Sequence, residues 1–272
     1  ASQFKVDTCI VSVIGNDFPV EYLEFLQSRN IDTSGIEIVP GGKTFFWSGK
    51  YRNDLNTRDT IATELNVLAD FQPKVPEKFL NPDFLMLGNL HPSVQMSVIQ
   101  QIPTRPKLVV LDTMNYWMDH AWDELLDVLK KVDVITINDE EARQLSGQYS
   151  LVKAAQRISA MGPKYVVIKK GEHGALLFYN GKVFFAPALP LEEVFDPTGA
   201  GDTFAGGFIG YLAGTHDIGF ENMKRAVIYG SNLASFSVEK FGTKRMEYLT
   251  KEEINKRLQE FKQLTQFDIE LN

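Results

Sequence analysis

Short apolar runs alternate with amphipathic segments along most of this chain, and no other feature limits its fold so strongly. The predicted strands, rich in Val, Ile, Leu and Phe, span 9–14, 83–87, 107–111, 133–137 and 165–169. The predicted helices span 19–29, 92–102, 119–130, 140–160 with a break near Gly147, 200–213, 219–239 and 250–263. Strands that alternate with helices form a mostly parallel sheet covered on both faces. The predicted fold class is therefore α/β, with ligands expected beyond the carboxyl ends of the strands.

Two segments interrupt this alternation. Residues 36–66 contain apolar runs separated by polar turns and predict antiparallel strands, the first of them at 36–39. Residues 175–186 predict a hairpin that turns at Asn180 and Gly181, which is a strong hairpin signal. The sequence contains no internal repeat and no linker. One domain over residues 1–272, with a small β segment at about 36–66, is therefore the simplest organisation.

The charge and cysteine content of the chain narrow its partners. The formal net charge is −7, which argues against a broad surface for nucleic acid or for anionic membranes. The single cysteine, Cys9, lies in an apolar run and is predicted to be a buried structural thiol, so no oxidising compartment is required. The sequence has neither a signal-peptide pattern nor an apolar stretch near 18 residues, so we expect a cytoplasmic protein without a membrane span.

The segment 196–207, Asp-Pro-Thr-Gly-Ala-Gly-Asp-Thr-Phe-Ala-Gly-Gly, joins a turn of small residues to the start of an apolar helix. Gly199, Ala200 and Gly201 let backbone N–H groups approach an anion, and the helix N-terminus adds positive potential. Asp202, in the first turn, can accept a proton from a hydroxyl group. Phosphoryl transfer requires positioning, a proton acceptor and charge compensation. On local physics alone, the alternative is that Asp202 complements the helix dipole and the glycines form a tight turn.

This segment closely resembles the C-terminal signature of the PfkB, or ribokinase-like, carbohydrate kinases. The resemblance implies a ribokinase-like three-layer sandwich with a small β lid. It also implies that the chain uses ATP and Mg²⁺ to phosphorylate a hydroxyl group of a sugar or nucleoside. The family's catalytic base matches Asp202, and its anion hole for the transferring phosphoryl group matches Gly199, Ala200 and Gly201.

Asn138 and Glu141 follow the predicted strand 133–137 and open a helix. Their spacing fits a capping box, in which each side chain bonds the backbone N–H of the other residue. The same pair resembles the family's Asn-x-x-Glu motif, which organises Mg²⁺, often through water. Because Mg²⁺ retains waters and needs few carboxylates, the capping role and the metal role can coexist.

The segment 169–174 follows the predicted strand 165–169. Gly171 and Gly174 match the family's Gly-x-x-Gly loop that runs along the nucleotide, which implies ATP contacts there and at Lys170. The alternative is a strand-to-hairpin turn with solvated lysines.

Four further residues have counterparts near the family's nucleotide. Asn232 matches an asparagine near the adenine pocket, and Gly242 matches a loop that closes nearby. The alternatives are a helix-surface amide and a loop glycine. In some members, residues that match Asp196 and Thr198 help to bind a monovalent cation, so K⁺ is included among the expected cofactors.

The acceptor side of the site is expected to include Asp112, Thr44 and Phe46. Asp112 follows a predicted strand and is expected either to reach the substrate or to stabilise a turn. The segment 43–51 resembles the β lid that family members close over the substrate. Its apolar residues point to both faces, which predicts coverage by the substrate and by a second subunit in a homodimer, with an ordinary core strand as the alternative.

Family members begin with a strand that carries a substrate-binding aspartate, followed by a Gly-Gly-x-x-x-Asn motif. Neither is found ahead of residues 11–17, and Gly41 and Gly42 lie too late to replace the motif. We therefore expect that the family's N-terminal start is missing from this sequence, together with half of the acceptor site.

A sugar is the expected acceptor, and a nucleoside is the alternative within the same fold. A non-catalytic ligand-binding regulator that retains the fold is the alternative from another class, although Asp202 and Glu141 are both present. A nicotinamide-dependent dehydrogenase shares the alternation of strands and helices, but no Gly-x-Gly-x-x-Gly follows the first predicted strand.

Overall fold

A computed structural model of the chain describes residues 1–52, 55, 58–266 and 268. The strands are β1 (Thr8–Gly15), β2 (Ile31–Val39), β3 (Phe46–Tyr51), β4 (Arg58–Glu64), β5 (Phe84–Leu87), β6 (Leu108–Asp112), β7 (Val134–Asn138), β8 (Tyr165–Lys169), β9 (Ala175–Tyr179) and β10 (Lys182–Ala186). The helices are α1 (Val20–Ser28), α2 (Pro92–Gln101), α3 (Asn115–His120), α4 (Trp122–Leu129), α5 (Asp139–Ser146), α6 (Leu151–Ser159), α7 (Ala200–Thr215), α8 (Phe220–Ser237), α9 (Lys244–Glu247) and α10 (Lys251–Thr265).

The central sheet has six strands in the order β10-β9-β8-β7-β6-β5. The pairs from β5 to β8 are parallel, whereas β9 pairs antiparallel with both β8 and β10. Strands buried on both faces read as near-continuous apolar runs, and this explains why β6, β7 and β8 could be predicted; β5 is only partly buried but is equally apolar. The predicted mostly parallel sheet is confirmed.

Helices cover both faces of this sheet and create two hydrophobic cores. Val166 packs in the core shared with α4, α5 and α6, and the next residue, Val167, packs in the core shared with α7 and α8. Both side chains are fully buried. Because successive side chains of a strand point to opposite faces, one strand contributes to both cores. The result is the predicted three-layer α/β sandwich.

The remaining described strands form two small sheets. β1 and β2 pair parallel, with Val13 opposite Glu37 and Ile14 opposite Ile38, and α1 connects them. The prediction of an antiparallel strand at 36–39 is therefore wrong, because a helical crossover between two paired strands makes them parallel. β3 and β4 pair antiparallel, as predicted for the later part of the 36–66 segment. That this hairpin acts as a lid stays a prediction.

Several local predictions can be compared with the structure. The hairpin between β9 and β10 turns at Asn180 and Gly181, which have φ values of 46° and 74°, as predicted. The break near Gly147 is confirmed, since Gly147 caps α5 with a φ of 66°. The continuous helix predicted at 119–130 is wrong, because Ala121 adopts an extended φ of −146° and separates α3 from α4. The side chain of Cys9 is half-buried rather than buried.

The carboxyl ends of β6, β7 and β8 meet the first turn of α7 at one edge of the sandwich. Register pairs Asp112 with Thr136 and Asn138 with Lys169, so the last residues of these strands lie side by side. This edge contains the candidate site. Within the described part of the chain, every helix is too short or too polar to cross a bilayer.

Candidate active site

The turn before α7 presents backbone donors and one carboxylate. Gly199 has a φ of 78°, which a residue with a Cβ atom rarely adopts, and Ala200 N donates to Pro197 O at 3.1 Å. The first helical bond runs from Thr203 N to Gly199 O at 2.8 Å. The N–H groups of Gly201 and Asp202 therefore precede the helical ladder and have no helical acceptor. The Asp202 side chain is exposed beside them.

A partly buried ion pair lies beneath this turn. Lys169 Nζ contacts Asp112 Oδ1 at 3.3 Å and Oδ2 at 3.4 Å, and the side chains are only 18% and 9% exposed. Burial raises the pKa of Asp112, Lys169 opposes that rise, and the charge of Asp202 adds to it. A Cβ atom built on Gly201 would lie 3.2 Å from Lys169 Nζ. The ammonium group is therefore positioned between the end of β6 and the start of α7.

Asn138 and Glu141 form the predicted capping box at the start of α5. Asn138 Oδ1 accepts from Glu141 N at 2.8 Å, and Glu141 Oε2 accepts from Asn138 N at 2.8 Å. Among the described residues, no group of three or more His, Cys, Asp or Glu side chains is arranged to hold a metal ion. Because Mg²⁺ retains several waters and takes one or two carboxylates, this donor set fits a metal held through water. The metal role of both residues stays a prediction.

Asp196 joins two loops near the N-terminus of α7. Its Oδ1 accepts from Thr198 N at 2.9 Å, and its Oδ2 accepts from Gly242 N at 3.1 Å. Although burial opposes the effect, hydrogen bonds from these two residues hold the pKa of Asp196 below its usual range. Three of the predicted ligand residues are thus brought together by one carboxylate, which already has backbone donors at both oxygens.

Backbone packing requires one of the two glycines in the loop after β8. Gly174 has a φ of 82°, and a Cβ atom there would lie 2.1 Å from Ala186 O. Gly171 also has a positive φ, of 54°, and Lys170 N donates to Gly174 O at 2.8 Å. The loop is therefore a tight turn that approaches β10 closely, whether or not it also contacts nucleotide.

Asn232 is completely buried within α8 and is not the helix-surface amide of the alternative interpretation. Its Nδ2 donates to Ile254 O at 3.3 Å, which ties α8 to α10. Its Oδ1 is buried and has no hydrogen-bond partner within the described residues. A buried acceptor without a partner is costly, so this atom is a candidate for contact with a bound ligand.

Thr44 and Phe46 belong to another segment, which begins near the carboxyl end of β1 and continues into β3, where Tyr51 OH lies 3.4 Å from Thr198 Oγ1. Thr44 Oγ1 donates to Asp17 Oδ1 at 2.6 Å and accepts from Gly15 N at 3.0 Å. Hydrogen bonds from the side chain and backbone of Thr44 lower the pKa of Asp17. Phe46 begins β3 and is 51% exposed. The Thr44 hydroxyl is therefore already bonded within the chain, whereas Phe46 is available to a ligand or partner.

Lys169 is the residue of this site that the sequence interpretation missed. The sequence assigns it no role beyond that of a solvated lysine in the alternative interpretation, because nothing in the local sequence indicates that Asp112, 57 positions away, lies beside it. One signal was present: a lysine ends an otherwise fully apolar strand at the edge where ligands bind.

The known proteins to which this chain is similar are kinases. Residues 1–249 match the pfkB family carbohydrate kinases. A cytidine kinase from Thermococcus kodakarensis is 33% identical over 212 residues, which cover 75% of this chain and 74% of that protein. A 2-dehydro-3-deoxygluconokinase from Thermoproteus tenax is 39% identical over 232 residues, covering 75% and 67%. A candidate ribokinase II from E. coli, solved in complex with ATP and Mg²⁺, superposes with a TM-score of 0.76 at 22% identity, covering 95% and 85%.

The fold is a ribokinase-like α/β sandwich, and the family match makes the chain a kinase. The chain belongs to the pfkB family of carbohydrate kinases. The predicted family, fold and enzyme class are confirmed, and neither a dehydrogenase nor a non-catalytic regulator is favoured. Members of the ribokinase family use ATP and Mg²⁺.

Proposed function

We propose that this chain transfers the γ-phosphoryl group of ATP to a hydroxyl group of a small sugar or nucleoside, with Asp202 as the catalytic base. One observation carries the proposal. The exposed carboxylate of Asp202 lies in the first turn of α7, beside backbone N–H groups that have no helical acceptor and above the partly buried Lys169. A proton acceptor and an anion site therefore occur within one turn, at the strand edge where ligands bind.

The roles of the turn residues follow from this arrangement. Asp202 accepts the proton of the acceptor hydroxyl as the oxygen attacks the γ-phosphorus in line. The N–H groups of Gly201 and Asp202 donate to the oxygens of the transferring group. The φ of 78° at Gly199 forms the tight turn that leads into these donors, and Ala200 brings only a methyl group close to the anion. Fixed donors of this kind require no reorganisation during the reaction.

The remaining predicted residues surround the nucleotide in this proposal. Mg²⁺, when bound, neutralises charge on the phosphate oxygens, and Asn138 and Glu141 would organise it through water. The nucleotide itself would contact Lys170, Gly171, Gly174, Asn232 and Gly242. The unpartnered Oδ1 of Asn232 supports its place in that set. K⁺ near Asp196 and Thr198 is part of the proposal as well, and a comparison of activity in K⁺ and Na⁺ buffers tests it.

The acceptor is proposed to be a sugar or the ribose of a nucleoside. The cytidine kinase and the 2-dehydro-3-deoxygluconokinase to which the chain is similar represent these two classes. A screen of both classes, with ADP release as the signal, identifies the acceptor. We expect release that depends on one class of acceptor and on Mg²⁺. No acceptor-dependent release from any member of either class, by folded protein that binds ATP, would contradict the proposal.

We propose that the β3–β4 hairpin is the β lid of a single kinase domain that spans the chain. We also propose that this hairpin contacts a second copy of the chain. Phe46 and Ile61 are 51% and 68% exposed on this hairpin, and exposed apolar surface is typical of interaction sites. Sedimentation of the wild type and of an Ile61→Lys variant tests the contact. We expect a dimer that the lysine dissociates, and a monomeric wild type would contradict it.

A further inference from the structure

The ammonium group of Lys169 is held in place without being tightly bound. Its two contacts with Asp112, at 3.3 and 3.4 Å, exceed the 2.7–2.9 Å that is typical of charge-assisted bonds. Asp112 is its only hydrogen-bond partner within residues 1–52, 55, 58–266 and 268. A lysine ammonium has three donors, so at least one remains for another acceptor.

Gly201 determines which region of the site this donor can reach. A Cβ atom at this position would lie 3.2 Å from Lys169 Nζ, so the ammonium lies against the turn that carries the proposed anion site. A side chain at position 201 would separate the ammonium from that site. The glycine therefore leaves the ammonium open to whatever binds at the N-terminus of α7.

The charges around Lys169 also favour contact of its ammonium with an anion at the N-terminus of α7. The N-terminus of a helix carries partial positive charge, which disfavours a cation beside it. Asp112 and Asp202 together offset the ammonium in the absence of ligand, and the charge of Asp202 is felt at Asp112. A lone buried ion pair adds little stability over apolar residues, so stability alone does not explain a lysine here. A phosphoryl group in transfer, by contrast, carries negative oxygens that require such a cation.

We propose that Lys169 is a catalytic residue whose ammonium donates a hydrogen bond to an oxygen of the phosphoryl group during transfer, while Asp112 holds the ammonium against Gly201. The inference rests on the proposed function. In the step, the bond from the acceptor oxygen to phosphorus forms, and the bond from phosphorus to the bridging oxygen breaks. The electron pair of the broken bond leaves with ADP, the hydroxyl proton passes to Asp202, and Lys169 remains protonated throughout.

The first test is Lys169→Met, which removes the charge and keeps the length of the side chain. We expect kcat to fall about 10²- to 10³-fold, as for the loss of one donor to a transition-state anion. The dissociation constant for ATP, measured by calorimetry, should change by less than about fivefold, because the bond is strongest during transfer. Lys169→Arg should recover part of the loss.

Lys164→Met is the matched control. Lys164 directly precedes β8 at the opposite end of that strand, is 71% exposed, and also faces an aspartate, with Nζ 4.0 Å from Asp133. It lies in neither the proposed catalytic nor the proposed binding machinery. Its kcat should equal that of the wild type, which shows that loss of a lysine–aspartate contact on this strand does not itself reduce activity.

The double variant Lys169→Met with Asp112→Asn separates catalysis from structure. The single variant leaves a buried carboxylate without its partner and is expected to melt at a lower temperature, or to fail to fold. Removal of both charges should restore the melting temperature to within about 5 °C of the wild type, yet leave kcat at least about 10²-fold low.

The outcomes distinguish the inference from the proposed function. A double variant with kcat within about threefold of the wild type would mean that Lys169 only neutralises Asp112, and would overturn the inference alone. A wild-type protein that phosphorylates no acceptor would overturn both. A double variant with restored folding and lost kcat, beside an active wild type, supports both.

Discussion

A side chain at Gly230 should push α7 and α8 apart where the two helices cross. A Cβ atom there would lie 2.8 Å from Phe204 O, and 3.1 and 3.2 Å from two atoms of the Phe204 ring. The oxygen belongs to the backbone of α7, two residues after Asp202, so it cannot rotate away. In the Gly230→Ala variant the two helices must therefore separate by at least a few tenths of an ångström.

The magnitude follows from two opposing effects. Alanine is favoured over glycine in a helix by about 1 kcal/mol, whereas overpacking of a well-packed contact costs about 1–3 kcal/mol. Gly206→Ala in α7 is the matched comparison, because a Cβ atom there would lie 3.7 Å from its nearest neighbour. The helix preference is common to both variants, so their free energies of unfolding should differ by the overpacking cost, about 2 kcal/mol.

Equilibrium unfolding in urea, followed by circular dichroism, measures this difference. We expect a lower midpoint than the wild type for Gly230→Ala and a higher midpoint for Gly206→Ala, at equal slopes. Gly230→Ala should also lose activity, since a small displacement of α7 moves Asp202 and such misplacement can cost about 10²-fold. Two variants that shift the midpoint in the same direction by the same amount would refute the close crossing.

Two further predictions concern the caps of α5 and α10. Glu141→Gln should raise the Mg²⁺ concentration needed for half-maximal activity. If that concentration is unchanged and only the melting temperature falls, Glu141 has the capping role alone, through its bond with Asn138 N. In α10, the Thr250 backbone N–H and Arg245 lower the pKa of Glu253 from 4.5 to about 2. Because the unfolded chain then binds this proton more readily, the stabilisation is complete above about pH 4.5 and is lost as the pH falls toward 2. The urea midpoint of Glu253→Gln should fall less steeply than that of the wild type across this range, and equal slopes would contradict the assignment.

Most of the central sandwich could be predicted because its strands are mainly apolar runs, of which β6, β7 and β8 are buried on both faces. β5, β6 and β8 are each an apolar run of four residues followed by a polar residue or glycine, and β7 differs only by Thr136 within its run, a pattern that has few other interpretations. The hairpin at Asn180 and Gly181 was equally clear, since type I′ turns require positive φ values that these residues tolerate. The residues within each of these elements determine its structure, so the elements could be predicted from short segments of the sequence.

Pairing between distant segments could not be predicted in the same way. The orientation of β2 depends on its pairing with β1 through α1, and nothing within 36–39 indicates it. Ala121 separates α3 from α4 without the glycine or proline that usually ends a helix. Neither feature leaves a local signal.

The same limit applied to the site. Asp202 and the turn before it could be predicted, because the donors, the helix start and the carboxylate are contiguous in sequence. The contact of Lys169 with Asp112 and Gly201 joins three separate segments. Only the packed sandwich brings these segments to one edge, so the charge beside the proposed anion site could not be recognised from the sequence.

The role of Asp202 as the base is tested most directly by single-turnover transfer in Asp202→Asn. The amide keeps the size of the side chain but cannot take the hydroxyl proton. With ATP binding confirmed by calorimetry, a rapid-quench measurement with labelled ATP and the acceptor identified in the screen reports the chemical step alone. We predict a rate about 10²- to 10⁴-fold below that of the wild type, with ATP affinity and melting temperature nearly unchanged. A variant that folds, binds ATP and transfers the phosphoryl group within about threefold of the wild-type rate would contradict the assignment of Asp202 as the base.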